Sequence, residues 1–294
     1  MLRSSYRGRF APSPTGLLHA GSLVTALASW LDAKAANGTW LIRIEDLDTP
    51  RIDPQASEGI LQQLALFGMK SDEKVIFQSQ RTSAYENALE KLNQSKLLYV
   101  CKCSRKKIAE FRSETLSPGS EMVYPGFCRP TLNTICNVSN RSGAIRVKIP
   151  ENTIIQKQQI NQEVGDFVLR RNDGIYSYQL AVVVDDHFQE ITHIVRGQDL
   201  ESNTPRQIWL QEQLQIPTPT YCHIPILKNN VGEKLSKQTK APIIWPKNTL
   251  ETLEYLHQVN LHLGLGLNQA SERSTLAEWQ EQAIKAWTNL KKSF

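Results

Sequence analysis

The sequence predicts an α/β fold in which a Rossmann-like parallel sheet carries an inserted segment and a small helical C-terminal part. Three observations support this prediction. Strand-like and helix-like segments alternate over residues 1–100, which is typical of parallel sheets covered by helices. Residues 101–141 interrupt this alternation with a polar stretch that holds four of the five cysteines. The alternation returns over 142–240, and two helical stretches occupy 241–294.

Apolar runs and the residues that end them predict the elements of the first half. Trp40, Ile42 and Ile44 alternate with other residues and should share one face of a strand. Prolines and glycine after the first strand force a turn, and an alanine-rich run follows. The predicted elements are a strand over Arg7–Ala11, a helix over Leu17–Ala36, a strand over Thr39–Glu45, a helix capped by Asp53-Pro54 and closed by Gly68, and a helix over Ser83–Lys96.

The second half is predicted in the same way from shorter runs. Tyr176 and Tyr178 would share one face of a strand. The predicted strands are Ala144–Ile149, Asp166–Leu169, Tyr176–Val184 and Ile191–Val195, and the predicted helices are Pro205–Leu214, Thr249–Leu261 and Leu276–Leu290.

The composition excludes several classes of protein. The chain has 294 residues, of which 40% are hydrophobic and 21% are charged, as in an ordinary soluble globular protein. No stretch approaches the roughly 18 uncharged apolar residues of a membrane span, and the N-terminus lacks the apolar run of a secretory signal. We therefore expect a cytoplasmic, monomeric protein without membrane contact. The net charge of +5 is compatible with a polyanionic partner but does not require one.

The strongest functional signal lies between Arg9 and Ser22. This segment is predicted to run from a strand end through a sharp turn into a helix, whose N-terminal N–H groups and dipole suit a triphosphate. His19, in the first turn, can donate to a phosphate oxygen, and Gly21 leaves space for an adenine ring against the backbone. Taken alone, His19 is better explained as an exposed residue of a capped helix. A second motif downstream favours ATP binding.

That second motif is Lys234-Leu235-Ser236-Lys237, in a basic loop. Two lysines three residues apart can both reach a polyphosphate and neutralise charge as pyrophosphate leaves. By itself, Lys-x-x-Lys is more often a solvated run of charge. Together the two motifs predict His19, Lys234 and Lys237 as catalytic residues, and His19, Gly21 and Lys237 as ligands of ATP, which would bring Mg²⁺ with it.

The cysteines indicate a metal site. Cys101, Cys103 and Cys128 are closely spaced in a polar segment that has little core of its own, so bound zinc would contribute to its folding. Spacing alone leaves the fourth ligand open among Tyr124, Cys136 and a water. The alternative is a set of scattered buried thiols. A disulfide framework is not expected in a cytoplasmic chain.

These motifs together resemble the glutamyl-tRNA synthetase group of class I aminoacyl-tRNA synthetases, and within it the glutamyl-Q subgroup. The similarity runs from Arg9 to about Lys240. Arg-Phe-Ala-Pro-Ser-Pro-Thr-Gly resembles the group's lead into the HIGH motif, and Lys-Leu-Ser-Lys-Gln resembles KMSKS. The further similar segments are Ile44–Asp48, Asp185–His187 and Ile194–Leu200. Cys-x-Cys with Tyr-x-x-x-Cys is similar to the zinc pattern of the subgroup, which implies Tyr124 as the fourth ligand of one structural zinc.

The resemblance also implies a glutamate site. Arg9 would meet the side-chain carboxylate of glutamate, for which a guanidinium is well shaped. Arg196 and Tyr178 match positions around the same substrate. Ser13 and Glu45 match positions near its α-amino group. A structural alternative exists for each: Arg9 and Glu45 could form an ion pair at a strand end, and Tyr178 could be a core residue.

The implied reaction has two steps. Glutamate and ATP give glutamyl-adenylate and pyrophosphate without tRNA, and the glutamyl group then passes to queuosine in the anticodon of tRNA(Asp). The sequence stops before the group's C-terminal anticodon-binding domain, so we expect the anticodon loop itself to enter the catalytic cleft. Two alternatives remain open: a compact glutamyl-tRNA synthetase that charges a tRNA 3′ end, and a catalytically silent tRNA-binding paralogue. Intact Lys234 and Lys237 argue against the second.

Overall fold

The computed structural model describes residues 6–113, 123–131, 135–138, 142–228, 242–269 and 274–291. Two compact units result. Unit 1 comprises residues 1–80, 190–201 and 219–294, and unit 2 comprises residues 81–189 and 202–218. These units do not coincide with the four segments that the sequence suggests. Residues 81–100 and 142–189 group with the cysteine-bearing segment rather than with the first strands of the chain.

The elements are numbered in chain order. The described strands are β1 Arg7–Phe10, β2 Thr39–Ile44, β3 Ile76–Phe77, β4 Leu98–Cys101, β5 Ala144–Val147, β6 Ile154–Ile155, β7 Gln158–Gln159, β8 Val168–Arg170, β9 His193–Gly197 and β10 Thr220–Ile224. The described helices are α1 Ala20–Ala35, α2 Ala56–Leu66, α3 Thr82–Gln94, α4 Arg105–Ser113, α5 Ile160–Glu163, α6 Tyr178–Phe188, α7 Thr204–Leu214, α8 Thr249–Leu263 and α9 Leu276–Lys291. Among these helices, none is long and apolar enough to cross a membrane.

Unit 1 contains the parallel sheets that the alternation predicts. β2 lies between β1 and β3, and β9 pairs with β10 in a second parallel sheet. β9 begins beside β1, because the Thr192 N–H donates to the Arg7 carbonyl at 2.9 Å. The carboxyl ends of parallel strands lie at the same edge, where ligands of such sheets bind. The residues that end β1 and β2 therefore lie at one edge of the first sheet, and those that end β9 and β10 lie at one edge of the second.

The core of unit 1 includes the C-terminal helices. Trp40, Ile42 and Ile44 are all buried in it, as their alternation predicts. Helix α9 is fixed to α1 by a polar contact, since the Trp287 Nε1–H donates to the buried carboxylate of Asp32 at 2.8 Å. The helical C-terminal part thus packs on the same core as the sheet.

Unit 2 is built around an antiparallel sheet in which β5 lies between β4 and β8. β4 ends at Cys101, and its pairing with β5 explains why residues before and after the cysteine-bearing segment fold together. The buried Asp166 carboxylate accepts hydrogen bonds from the Tyr99 hydroxyl at 2.7 Å and from the Ile149 N–H at 2.8 Å. It also pairs with Arg129 at 3.1 Å, which ties the residue after Cys128 to this sheet.

The predicted strand over Tyr176–Val184 is wrong, because the chain forms helix α6 from Tyr178. Ser177 is its N-cap, and its hydroxyl accepts from the Leu180 N–H at 3.5 Å. Tyr176 and Tyr178 therefore do not share a strand face. The β-branched run within this segment favours a strand locally, but α6 buries four consecutive apolar residues, Leu180–Val183, and this burial outweighs that preference.

Two helices begin later in the chain than the sequence predicts. Helix α1 begins at Ala20 rather than Leu17, and α2 begins at Ala56. Asp53 is not the cap of α2; its carboxylate accepts from the Gln55 N–H at 3.0 Å in the preceding turn. Gly68 closes the helix as predicted, with φ of 71°, in the left-handed region that suits glycine.

Candidate active site

Buried charges collect at the carboxyl end of β1 and β2 in unit 1. Arg9 and Glu45 are 4% and 9% exposed. Glu45 follows β2, and its N–H donates to the Pro12 carbonyl at 3.0 Å, which ties this strand end to the turn after β1. Its carboxylate lies 3.5 Å from the guanidinium of the fully buried Arg43. A carboxylate and a guanidinium are thus held at the edge where a parallel sheet binds its ligands.

Arg196 is held on β9 by two uncharged partners from β10. Its Nε–H donates to His223 Nε2 at 3.2 Å, and its guanidinium carbon lies 5.0 Å from the centre of the Tyr221 ring. The two rings are nearly parallel, with centres 6.3 Å apart. Arg196 itself is only 2% exposed. These contacts orient the guanidinium, a group whose planar set of donors suits a carboxylate.

His223 should make folding stability depend on pH. Burial, and then the charge of Arg196, lower the pKa of His223 below the ordinary histidine value of about 6.5. The unfolded chain then binds a proton more readily than the folded one, so stability should fall as the pH drops from about 6.5 through the folded pKa. We expect His223→Gln, which keeps an acceptor for Arg196, to remove this component from urea-unfolding midpoints measured between pH 5 and 8. An unchanged pH slope in the variant would contradict this role.

The structure places His19 at the N-cap of α1, whereas the sequence predicts it in the first turn of the helix. Its Nδ1 accepts from the Ser22 N–H at 3.4 Å, and its own N–H donates to the Ser22 hydroxyl at 2.9 Å. Because Nδ1 faces the helix backbone, Nε2 is the ring atom suited to meet a phosphate beside the helix start. Gly21 lies in the first turn and is half-buried.

The second motif, including Lys234 and Lys237, lies outside the described residues. The chain that follows it returns to His19: Ile243 forms an antiparallel bridge with His19, and the Ile244 N–H donates to the Leu18 carbonyl at 3.1 Å. Residues a few positions after the second motif are therefore in backbone contact with the first.

Ser13 and Tyr178 are the remaining residues predicted to bind glutamate. Ser13 is exposed in the turn after β1. Tyr178 belongs to unit 2, where it is half-buried as the first residue of α6. Its part in binding glutamate stays a prediction.

The cysteine-bearing segment forms a compact donor cluster in unit 2. The Sγ atoms of Cys101, Cys103 and Cys128 all lie within 4.8 Å of one another, with 3.5 Å between the last two. The Tyr124 hydroxyl oxygen lies 3.3 Å from Cys101 Sγ and 3.4 Å from Cys103 Sγ. Around a tetrahedral zinc, donor atoms are separated by roughly 3.5–3.8 Å, given the usual Zn–S and Zn–O bond lengths. The three thiols and the phenol therefore have the spacing of a metal site.

The same geometry separates the candidates for the fourth ligand. Cys136 is not part of the cluster among the described residues; its backbone N–H and carbonyl bond instead to the Asn93 side chain at 2.9 and 2.8 Å. Burial raises the pKa of the Tyr124 hydroxyl, so this phenol is harder to ionise than a thiol.

The Cys128 thiol has a lowered pKa of about 7. Burial by itself would raise this pKa, but hydrogen bonds from the Lys102 backbone and from Tyr124 outweigh the effect of burial.

Three residues beside the predicted site residues are not predicted from the sequence: Arg43 beside Glu45, and His223 and Tyr221 beside Arg196. One signal was available, because Tyr221 and His223 alternate along a short run that ends in an isoleucine, as on one face of a strand. Their pairing with Arg196 depends on which strand neighbours β9, and this is a long-range contact that no local pattern contains.

Comparison with known proteins identifies the class. Residues 5–293 match the family described as tRNA synthetases class I (E and Q), catalytic domain. The match covers nearly the whole chain, so the chain belongs to this family of aminoacyl-tRNA synthetase ligases.

Similar curated proteins of matching length are named Glutamyl-Q tRNA(Asp) synthetase. The relative from Burkholderia cenocepacia is 46% identical over 297 residues and is aligned over 97% of each chain. The relative from Burkholderia mallei is 47% identical over 96% of each chain. The relative from Dechloromonas aromatica is 45% identical over 98% of this chain and 95% of its own.

Two solved structures share the fold. A glutamate tRNA ligase from Elizabethkingia meningosepticum, in complex with its amino acid, superposes with a TM-score of 0.71 at 26% identity, covering 96% of this chain and 64% of the ligase. The glutamate-tRNA synthetase from Elizabethkingia anophelis gives a TM-score of 0.73 at 26% identity, covering 98% and 70%. The chain thus spans under two thirds of the first ligase.

Proposed function

We propose that this protein activates glutamate with ATP in the absence of tRNA and transfers it to queuosine in the anticodon of tRNA(Asp). The observation that carries the proposal is the set of buried charges at the strand edge of unit 1, where Arg9, Glu45 and Arg196 lie with less than a tenth of their surface exposed. The names of the relatives supply the amino acid and the tRNA.

Charge complementarity assigns the groups of glutamate. The guanidinium groups of Arg9 and Arg196 receive its side-chain carboxylate. The Glu45 carboxylate and the Ser13 hydroxyl receive its α-ammonium group. In glutamine an amide replaces the carboxylate, so the buried guanidinium groups lose a matching charge, and discrimination by several orders of magnitude is expected.

Activation breaks one phosphate bond and forms another. The α-carboxylate of glutamate attacks the α-phosphorus of ATP, and pyrophosphate leaves with the electrons of the bridging bond. His19 Nε2 and the N–H groups at the start of α1, including Gly21, stabilise the phosphates. Lys234 and Lys237 act on the departing pyrophosphate. Mg²⁺ enters as the counter-ion of ATP.

Transfer completes the reaction. A hydroxyl of queuosine attacks the acyl carbon of glutamyl-adenylate and loses its proton, and AMP leaves. The protein contributes position and charge stabilisation and forms no covalent bond with the substrates. The runner-up acceptor is the 3′ end of a tRNA, as in a compact glutamyl-tRNA synthetase.

The donor cluster of unit 2 serves as a structural zinc site in this proposal. Cys101, Cys103 and Cys128 supply thiolates, and Tyr124 supplies the fourth oxygen. Bound zinc would hold the segment after β4 in place, since the described residues of that segment include few buried apolar side chains.

A pyrophosphate exchange assay tests the first step. We expect the purified protein, with ATP, Mg²⁺ and glutamate but no tRNA, to incorporate labelled pyrophosphate into ATP. Glutamine in place of glutamate should give a rate lower by orders of magnitude. Exchange that appears only after tRNA is added would contradict tRNA-independent activation and favour a conventional synthetase. Equal rates with glutamine would show that Arg9 and Arg196 do not read the side chain.

A further inference from the structure

We propose that Gln63 of α2 is a positioning residue for the activation step, in that it fixes the backbone immediately before His19 and joins it to Ile244. The proposal rests on the proposed ATP-dependent activation and goes beyond it by assigning a role to a residue that would touch neither substrate. The sequence alone does not indicate a role for Gln63, since a glutamine in an amphipathic helix is usually a surface residue.

The side chain of Gln63 is fully buried and makes three hydrogen bonds to backbone groups outside its own helix. Its Oε1 accepts from the Leu18 N–H at 2.7 Å. Its Nε2 donates to the Leu18 carbonyl at 3.2 Å and to the Ile244 carbonyl at 2.5 Å. All three residues belong to unit 1. One amide group thus holds both backbone groups of Leu18 and one of Ile244.

These partners fix the orientation of the amide. The Leu18 N–H requires an acceptor, and the two carbonyls require donors, so Oε1 and Nε2 cannot be exchanged without losing all three bonds. The side-chain amide matches the needs of this backbone, which belongs to no strand and is nearly inaccessible to water. An apolar side chain of the same length would leave the Leu18 N–H and the Ile244 carbonyl buried without these partners, and the Leu18 carbonyl with only the Ile244 N–H.

The position of the clamp points to the reaction rather than to stability alone. Leu18 precedes His19 directly, and His19 is the N-cap whose ring reaches the start of α1. Ile244 follows Ile243, which bridges to His19, and it lies seven residues after Lys237 (244 − 237). A shift of Leu18 would move the phosphate-binding start of α1, whereas Arg9 and Arg196 are held by strands. Misplacement by about 1 Å can cost about a hundredfold in rate.

The test compares Gln63→Met and Gln63→Asn with a matched control, Asn260→Leu. Methionine removes the three bonds, and asparagine keeps the amide but falls short by one methylene, about 1.5 Å. Asn260 makes an equivalent buried clamp elsewhere in unit 1: its Nδ2 donates to the Leu267 carbonyl at 2.9 Å, and its Oδ1 accepts from the Leu267 N–H at 3.1 Å. Pyrophosphate exchange is measured per folded molecule, with folding followed by near-UV circular dichroism.

We expect both Gln63 variants to lower kcat for exchange at least tenfold while the KM for glutamate stays within twofold of wild type. Asn260→Leu should lower the melting temperature but keep kcat within twofold. The inference is overturned if the Gln63 variants keep wild-type kcat per folded molecule, or if their kcat and KM change only as those of Asn260→Leu do. Gln63→Asn decides the matter if Gln63→Met does not fold.

Pyrophosphate exchange by the wild type and by the Gln63 variants tests the role of Gln63 separately from the proposed function. If the wild type exchanges pyrophosphate with glutamate alone and the Gln63 variants do so equally well, only the inference is lost. If the wild type requires tRNA for exchange, tRNA-independent activation is lost. The same kcat comparison, made with tRNA present, then decides the role of Gln63.

Discussion

Replacing Arg196 by alanine should lower kcat/KM for glutamate in pyrophosphate exchange by about 10³-fold. Loss of one partner from a buried, hydrogen-bonded charge pair typically costs about 3–5 kcal/mol, and each 1.4 kcal/mol corresponds to a factor of ten. Arg196 is almost fully buried and is oriented by His223 and Tyr221, so little water is available to replace it. The KM for ATP should change by less than threefold, because the proposed phosphate contacts lie at His19 and the start of α1.

Arg7→Ala is a matched control for this prediction. Arg7 lies at the opposite end of β1 from the site and forms a half-exposed ion pair with Glu73 at 2.8 Å. Such surface pairs contribute about 0–1 kcal/mol to stability, so exchange kinetics should stay near wild type. If Arg196→Ala kept the wild-type KM for glutamate, this result would show that Arg196 does not bind glutamate. Arg196→Lys should recover only part of the loss, because an ammonium group cannot form a bidentate pair.

Loss of the metal should have the largest effect on the fold of unit 2. Metal binding supplies about 10–16 kcal/mol of apparent folding free energy in small zinc modules, and the segment around Cys103 and Cys128 has only a small core of its own. We expect about one zinc per chain in purified protein. Cys103→Ser should lose the metal and become sensitive to proteolysis within residues 102–131, measured by metal analysis and mass spectrometry of the fragments.

Two further variants separate the metal site from general effects of substitution. Cys136→Ser should retain zinc, since the thiol of Cys136 lies outside the cluster and only its backbone is bonded to Asn93. Tyr124→Phe should weaken retention less than Cys103→Ser, because three thiolates remain and the phenol is the hardest of the four groups to ionise. Folded, active and metal-replete protein that carries no zinc would refute the site.

Local sequence patterns predict much of unit 1. The alternation of Trp40, Ile42 and Ile44 places the core face of β2 correctly, and the parallel pairing follows from the order of strands and helices. The spacing of Cys101, Cys103 and Cys128 predicts a cluster that the structure contains. These features can be predicted because each depends mainly on residues that are near one another in the sequence.

The errors share a physical cause. The segment after Tyr176 has β-branched residues that favour a strand, yet packing within unit 2 makes it helix α6. The sequence predicts His19 in the first turn of a helix that begins at Leu17, because a capping histidine resembles a first-turn residue until the Ser22 contacts are known. Gln63 and His223 act on backbone or side chains far away in sequence. No pattern in the sequence alone contains those contacts.

The acceptor of the glutamyl group distinguishes the proposed function from that of a compact glutamyl-tRNA synthetase. RNA recognition commonly uses unpaired bases in loops, which a protein can reach without opening a helix. An anticodon stem-loop should therefore suffice as a substrate, without the rest of the tRNA. Its transfer rate should fall with salt more steeply than the rate of amino-acid activation, because contacts with the phosphates of the RNA backbone contribute only to the transfer step.

The most direct measurement uses two anticodon stem-loops of tRNA(Asp) that differ only in carrying queuosine or guanosine, each ending in a 2′,3′-dideoxynucleotide so that the terminal ribose offers no hydroxyl. Incubation with labelled glutamate, ATP and Mg²⁺ should label the queuosine stem-loop and leave the guanosine stem-loop unlabelled. Equal labelling of both would contradict recognition of queuosine. Labelling of neither, together with charging of whole tRNA at a free 3′ end, would contradict the anticodon as the acceptor and identify a compact glutamyl-tRNA synthetase.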